Sequence, residues 1–369
     1  MLALVACETG APEKPPPPRD AMVDANFSKL PGRETYVALC APCHGVDGKG
    51  YAADHAPSLV NPTFLTSATD GFLSQSIQRG RPGTSMAAYG KAMHGPLDDE
   101  SVMRLVAYIR SQGPVSVAME PVTGGDPARG APLYVKYCQV CHGDGKTRGE
   151  AMLLSDPQFL TVATPPFLRY AIVHGRPGTK MIAWPGTLAD GEIDDIVAYI
   201  RSYGAAKSVP LPQLPPPTGH EPLVLNPTGK DPSFTVRADP CPKPPGACKE
   251  DPRFVSADQV HAAMIARRKL IIIDARPASE WMRVHVEGAV SIPHFDLKRL
   301  DEIPQDTWVL TYCACPHHLS GIVLDELRKR GHKRAAVLDE GITEWHRRGY
   351  PVVAADGVER PPPLPAPKQ

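Results

Sequence analysis

The pentapeptide Cys-x-x-Cys-His occurs twice, as Cys40-Ala-Pro-Cys43-His44 and as Cys138-Gln-Val-Cys141-His142, and each copy sits inside a longer segment that is itself repeated. Ile77-Gln-Arg-Gly-Arg-Pro-Gly-Thr-Ser-Met86 recurs as Ile172-Val-His-Gly-Arg-Pro-Gly-Thr-Lys-Met181, and Val106-Ala-Tyr-Ile-Arg-Ser111 recurs as Val197-Ala-Tyr-Ile-Arg-Ser202. The three blocks keep one order, so residues 28–113 and 126–204 are two copies of one domain, with Gly124-Gly-Asp-Pro127 at the joint. A chain built this way repeats one small core twice before it does anything else.

Each copy closes with a helix. Val102, Leu105, Val106 and Ile109 fall at i, i+3, i+4 and i+7, and Ile193, Ile196, Val197 and Ile200 repeat the pattern. Asp98, Asp99 and Glu100 stand where they can cap the first of these helices and complement its dipole. Gly113 and Gly204 follow as expected C-caps. A short helical stretch is expected to run into each Cys-x-x-Cys-His.

The pentapeptide puts two thiols on one side of a turn, placed to add to the two vinyl groups of a haem, and sets a histidine beneath the iron. A zinc site would need a second Cys-x-x-Cys near each copy, and neither copy has one. Two haem c groups are expected, held by Cys40, Cys43, Cys138 and Cys141, with His44 and His142 as proximal ligands. Residues 28–204 resemble a tandem pair of class I cytochromes c, a small all-α fold around one haem each. The resemblance implies a distal methionine on a loop before the last helix. Met86, 42 residues after His44, and Met181, 39 after His142, match that position better than Met93 or Met152. His/Met ligation leaves no open position on iron, which implies electron transfer with redox partner proteins. A dihaem peroxidase is the alternative if a methionine can leave.

After Phe254 the pattern changes. Ser256-Ala-Asp-Gln259 reads as a capping box, Leu270–Asp274, Trp308–Tyr312 and Ala335–Leu338 as buried strands, and residues 320–330 as a helix. Strands alternating with helices argue for an α/β domain with a parallel sheet. Residues 254–357 resemble the rhodanese family through Ile273-Asp-Ala-Arg276 with Glu280-Trp281, His285-Val-Glu-Gly-Ala-Val-Ser-Ile-Pro293, Tyr312-Cys313, and Leu338-Asp-Glu-Gly-Ile-x-x-Trp345 before Gly349-Tyr-Pro-Val352. That resemblance implies a persulfide-forming Cys313 at the end of the central strand, and a small sulfur-containing substrate. The loop Cys313-Ala-Cys-Pro-His-His-Leu-Ser320 is one residue longer than the family's and lacks its arginine. Cys315 is a second thiol on it, with a regulatory role expected through a strained disulfide to Cys313. A sensing module and a Cys/His metal site around His317 and His318 are the competing readings of this loop.

Composition adds limits. The formal charge of the 369 residues is zero, which does not suggest a nucleic-acid partner, and no run of about eighteen apolar residues is present. Leu4-Val-Ala-Cys7 is similar to a bacterial lipoprotein box without its basic leader, so residues 1–27 are expected to be a truncated lipoprotein-type signal with a Pro-rich tether, lipidated at Cys7 and held at the bacterial envelope facing the periplasm. Residues 205–253 are proline-rich and expected to be a linker, with Cys241 and Cys248 able to close a disulfide loop in an oxidising compartment. The expected whole is a dihaem electron-transfer protein whose rhodanese-like domain links it to sulfur chemistry, or else only senses sulfur.

Overall fold

The computed structural model describes residues 26–50, 56–82, 84–184, 186–204, 213–238, 251–314 and 318–361. Cys7, Cys241, Cys248, Cys315 and His317 lie outside the described residues.

The first copy contains α1 (Gly32–Leu39), α2 (Ala41–His44), α3 (Pro62–Ser67), α4 (Asp70–Arg79) and α5 (Asp99–Ser111). The second contains α6 (Pro127–Tyr137), α7 (Gln139–His142), α8 (Pro157–Val162), α9 (Pro165–His174) and α10 (Asp190–Ser202). The repeat holds to the level of single contacts. Gly32 lets α1 meet the backbone of Arg104 on α5, and Gly130 lets α6 meet the backbone of Asp195 on α10; a Cβ at either glycine would collide with the carbonyl it faces. The Tyr36 hydroxyl donates to the Gly45 carbonyl at 2.8 Å and Tyr134 to Gly143 at 2.9 Å. Arg110 donates to the carbonyls of Leu65 and Ala68, and Arg201 to those of Leu160 and Ala163. Val102, Leu105, Val106 and Ile109, like Ile193, Ile196, Val197 and Ile200, are buried as one helix face.

The cap expectations are met unevenly. Asp98 caps α5 by accepting from the Ser101 amide at 2.9 Å. Gly204, at φ 85°, adopts the left-handed conformation after α10. Gly113 does not: α5 ends on Gln112 in a right-handed conformation, and Gly113 is small because a Cβ there would stand 2.5 Å from the Leu65 side chain.

The two copies pack through aromatic rings. Phe72 and Phe167 stack with centroids 4.7 Å apart, flanked edge-on by Phe64 and Phe159. Across the same seam Asn61 Nδ2 donates to the Pro177 carbonyl at 2.9 Å and Thr63 Oγ1 to the Gly175 carbonyl at 2.7 Å.

The C-terminal region runs β1 (Phe254–Val255), α11 (Ala257–Ile265), β2 (Leu270–Asp274), α12 (Ala278–Trp281), β3 (Val284–Val286), β4 (Val290–Ser291), β5 (Trp308–Tyr312), α13 (His318–Lys329), β6 (Ala335–Leu338), α14 (Gly341–Arg347) and β7 (Val352–Ala354). Five strands form a wholly parallel sheet in the order β1-β6-β5-β2-β4, as the continuous apolar runs predict. β3 and β7 pair separately and antiparallel. Alternation along the strands divides the core in two. Ile271, Ile273, Val309 and Cys313 pack with Val323 and Leu327 of α13, while Leu270, Ile272, Leu310 and Tyr312 pack with Val260 of α11 and Trp345 of α14.

Residues 213–238 contain no helix or strand, yet they are not a loose tether. Leu225 bridges to Leu270, Arg237 bridges to Phe254, and Phe234 and Val236 pack on the sheet's second face. Gln259 explains part of this. Ser256 accepts from the Gln259 amide, but the Gln259 side chain pairs with both the amide and the carbonyl of Thr235 instead of returning to the Ser256 backbone. The expected capping box is half made because its glutamine holds the incoming chain.

Candidate functional site

Each Cys-x-x-Cys-His is one helical turn, with the His44 amide bonded to the Cys40 carbonyl and the His142 amide to the Cys138 carbonyl, both at 2.9 Å. The three-residue spacing therefore sets the two thiols of each pair on one side. Gly45 and Gly143, at φ 77° and 80°, turn the chain away directly after the histidine.

Both imidazoles are held by Nδ1, 2.8 Å from the Pro57 carbonyl for His44 and 2.7 Å from the Met152 carbonyl for His142. A carbonyl only accepts, so Nδ1 carries the proton and the Nε2 lone pair is left for a metal. Burial lowers the pKa of both rings, with the Pro57 and Met152 carbonyls opposing, and the net effect favours the neutral ligand form. Burial also pushes the Cys40 thiol up to about 12 and Cys138 up to about 11. Such sites suit an uncharged thioether better than a thiolate.

Met86 and Met181 end two loops of one shape. Arg81 donates its amide to the Met86 carbonyl at 2.7 Å and Arg176 to the Met181 carbonyl at 2.8 Å. Thr84 and Thr179 accept from the two methionine amides, each at 3.1 Å. Both loops return to their Cys-x-x-Cys-His turn. The Tyr89 hydroxyl donates to the Leu39 carbonyl at 3.3 Å, and at the matching positions the Trp184 ring meets Tyr137 at 5.3 Å. Ser85 and Ala87, on either side of Met86, line one cavity with Cys43. Met152 lends its carbonyl to the histidine side of the second site, and Met93 ends a separate single turn, Lys91–Met93.

The Arg-Pro-Gly-Thr arginines aim into the seam between the copies. Arg81 lies 5.8 Å from the Phe72 ring and 6.0 Å from Phe159, and Arg176 lies 5.9 Å from Phe64 and 5.5 Å from Phe167. Burial lowers both guanidinium pKa values, Arg176 to about 10, while Asp156 partly offsets the effect at Arg81. Among the described residues Arg176 has no carboxylate partner. A partly desolvated cation beside each site fits a bound group that carries carboxylates, as haem does.

Cys313 follows β5 directly and is 1% exposed. Its Sγ lies 3.4 Å from the Ser320 hydroxyl in the first turn of α13. The loop start is tied down by α14, whose Ile342 amide donates to the Cys313 carbonyl at 3.0 Å. Gly341, at φ 65°, permits this, since a Cβ there would stand 2.6 Å from that oxygen. The residue before Cys313, Tyr312, belongs to a buried charge network. Arg276 forks onto Asp274 at 2.9 and 2.6 Å and donates to the Val284 carbonyl, and the Tyr312 hydroxyl donates to Asp274 at 2.8 Å. His318 opens α13, and among the described residues no cluster of three metal-ligating side chains occurs.

Sequence reasoning missed the two carbonyls that orient the histidines, because a backbone acceptor carries no residue signature. It also missed the buried Asp274–Arg276 pair, although two opposite charges closing the apolar run Leu270–Ile273 were a usable signal.

The cavity beside Met86 extends into the C-terminal region: Cys43, Ser85 and Ala87 face Arg276, Pro277, Glu280, Ala314 and Leu319 across it. Ser279 Oγ donates to the Ala88 carbonyl at 3.0 Å, and Phe27 meets Phe295 edge-on at 6.0 Å. The structure thus brings the Cys313 loop and the first Cys-x-x-Cys-His to opposite walls of one space.

Residues 28–109 and 125–200 match the family profile of cbb3-type cytochrome c oxidase subunit III, and residues 256–348 match the rhodanese-like domain. The chain is similar to the FixP subunit of a cbb3-type cytochrome c oxidase from Bradyrhizobium diazoefficiens, at 31% identity over 49% of this chain and 63% of the relative. It is also similar to a CcoP subunit from an Azospirillum species, at 28% identity over 49% of this chain and 64% of that one. It thus spans less than two thirds of either relative. Among solved structures it is similar to a rhodanese-like domain from an Anabaena species, at 17% identity over 32% of this chain and 95% of that one, with a TM-score of 0.27.

Proposed function

We propose that this chain, a pair of cytochrome c domains joined to a rhodanese-like domain, carries two haem c groups and links sulfur chemistry at Cys313 to electron transfer with an external redox protein. Haem c, when bound, supplies reversible one-electron chemistry at iron. The chain's own residues would hold it: Cys40, Cys43, Cys138 and Cys141 as thioethers, His44 and His142 through Nε2, and Met86 and Met181 as the remaining ligands. A group held by this His/Met donor set would favour carrying electrons over activating oxygen or peroxide. Arg176, and Arg81 with it, suits the carboxylates of the group.

In the C-terminal domain Cys313 is the sulfur carrier. Its thiolate attacks the outer sulfur of thiosulfate, a new S–S bond forms, the old one breaks, and sulfite leaves. Hydrosulfide added to the same thiolate would give the same persulfide with release of one proton and two electrons, to be accepted by two one-electron carriers held in the cytochrome c domains. The Ser320 hydroxyl, in the first turn of α13, lies 3.4 Å from the sulfur and can donate a hydrogen bond to it. Haem attachment requires export, so we place the protein at the bacterial envelope, with Cys7 as the lipid anchor.

The observation that carries the reading is the shared cavity, with Cys43 on one wall and Ala314 and Leu319 of the thiol loop on the other. The test is anaerobic addition of hydrosulfide to the oxidised dihaem protein. The reduced haem bands appear in the wild type and not in Cys313→Ser, while dithionite reduces both. Persulfide on Cys313 with haems that stay oxidised would make the domain a sensor instead.

A further inference from the structure

The internal repeat makes a controlled comparison possible, because the same surface occurs twice and only one copy is covered. In the first cytochrome domain the residues beside the thiols and after the methionine are buried: Ala41 at 5% exposure, Ala87 at 3% and Ala88 at 4%. Pro42, between the two cysteines, is buried as well. What covers them is the rhodanese-like domain, through the Ser279–Ala88 hydrogen bond and the cavity wall of Pro277, Glu280, Ala314 and Leu319.

In the second domain the matching surface is open and more apolar. Val140 stands where Pro42 stands and is 81% exposed, and Ile182 stands where Ala87 stands and is 59% exposed. Met152, 37% exposed, belongs to the loop that packs on Cys141, where the Ala151 amide donates to the Cys141 carbonyl at 2.9 Å. Two large aliphatic side chains exposed beside a redox centre are costly to leave wet. The first domain has small residues at both places, where a folded domain sits against them. At the position of Ser85 the second domain carries Lys180, an exposed ammonium paired with Glu150 at 2.6 Å.

We propose that the rhodanese-like domain occupies in cis the docking face of the first cytochrome domain, and that the Val140–Ile182 face of the second receives a small external redox protein with an apolar contact face. The chain then has one cytochrome face closed in cis and one open to an external partner, fixed by which copy is covered. The inference rests on the two domains binding haem, as proposed above, but not on the sulfur chemistry.

The test uses the dithionite-reduced dihaem protein and, as probe, azurin, a blue copper protein whose copper lies beneath an apolar face. Val140→Glu and Ile182→Glu each slow electron exchange with azurin about tenfold, the effect of roughly 1.4 kcal/mol at an interface. Val46→Glu, at a valine of the first domain that is 74% exposed, leaves the rate unchanged. Hydrogen exchange gives a readout independent of turnover: azurin slows exchange in residues 139–142 and 181–184 and leaves residues 41–44 and 86–89, already slow, as they were. Protection of the first domain by azurin, or unchanged rates in both glutamate variants, overturns the proposal. So does a dimer in sedimentation that Val140→Glu dissolves, since the face would then serve self-association. Failure of hydrosulfide to reduce the haems leaves every one of these outcomes readable.

Discussion

The carbonyl oxygen of Met152 lies 2.7 Å from Nδ1 of His142, so the backbone of this methionine belongs to the histidine side of the second site. A residue tied there by its main chain is poorly placed to serve as the ligand opposite that histidine. The first prediction follows. Met181→Ala and Met86→Ala each remove one methionine-ligated haem from the near-infrared spectrum of the oxidised protein. Met152→Leu keeps the carbonyl and leaves both signals in place. Loss of a signal in Met152→Leu with retention in Met181→Ala would reverse the assignment.

The second prediction concerns the buried pair bonded to Tyr312. Asp274 and Arg276 are 0% and 3% exposed, and burial would lower the arginine's pKa were it not for the carboxylate beside it, which raises it instead. Removing one partner leaves the other charge buried and alone, at a cost of about 3–5 kcal/mol. Asp274→Asn therefore lowers the calorimetric transition of the C-terminal domain and its sulfur-transfer activity together, while the haem spectra at low temperature stay unchanged. Tyr312→Phe, which removes one hydrogen bond to the same carboxylate, costs about 1–2 kcal/mol.

These cases show what could be read from the chain beforehand. The repeat made the pairs Arg110/Arg201 and Met86/Met181 legible, because they stand in the same order in the two copies. The parallel sheet was legible in Leu270–Asp274 and Trp308–Tyr312, whose unbroken apolar character suits strands buried on both faces. The contact of Ser279 with Ala88 was not legible, since it joins positions 191 residues apart and one of its two partners is a backbone carbonyl. The packing of residues 213–238 was hidden for a related reason: proline-rich composition reports the lack of regular hydrogen bonding, not the lack of burial. Gly113 misled because a glycine after a helix has two uses, a left-handed turn and a close approach, and sequence does not separate them.

The third prediction is a pH dependence in the first cytochrome domain. The Ser101 hydroxyl and then the Ser101 amide hold the Asp98 carboxyl down from the ordinary 3.8 to about 2. The folded-state pKa is depressed, so the contribution is present above pH 3.8 and fades as pH falls through about 2. Asp98→Asn keeps an acceptor for the Ser101 amide but does not titrate. The difference in melting temperature between wild type and Asp98→Asn should therefore narrow between pH 5 and pH 2 and stay level above pH 5. A constant difference across that range would mean the cap's charge is not felt by the fold.

The last prediction separates the two thiols of the rhodanese-like loop. Cys313 follows the last residue of β5, its sulfur faces Ser320, and its carbonyl is gripped by the Ile342 amide, so its position is set by three elements at once. Cys315, two residues on, is expected to act on it from outside by forming a strained and easily reduced disulfide. Cys313→Ser should abolish persulfide formation from thiosulfate, measured by mass spectrometry of the loop peptide. Cys315→Ser should retain it and remove any need for prior reduction. Gly341→Ala tests the positioning without touching either sulfur. Its Cβ would stand 2.6 Å from the Cys313 carbonyl at a φ of 65°, so the loop must shift, and turnover should fall at least tenfold, with the haem spectra unchanged. Activity lost only in Cys315→Ser would move the nucleophile two residues along, and Ser320 would then have to face a different sulfur. Full activity in Gly341→Ala would mean that the grip of α14 on the loop does not set the geometry of the thiol.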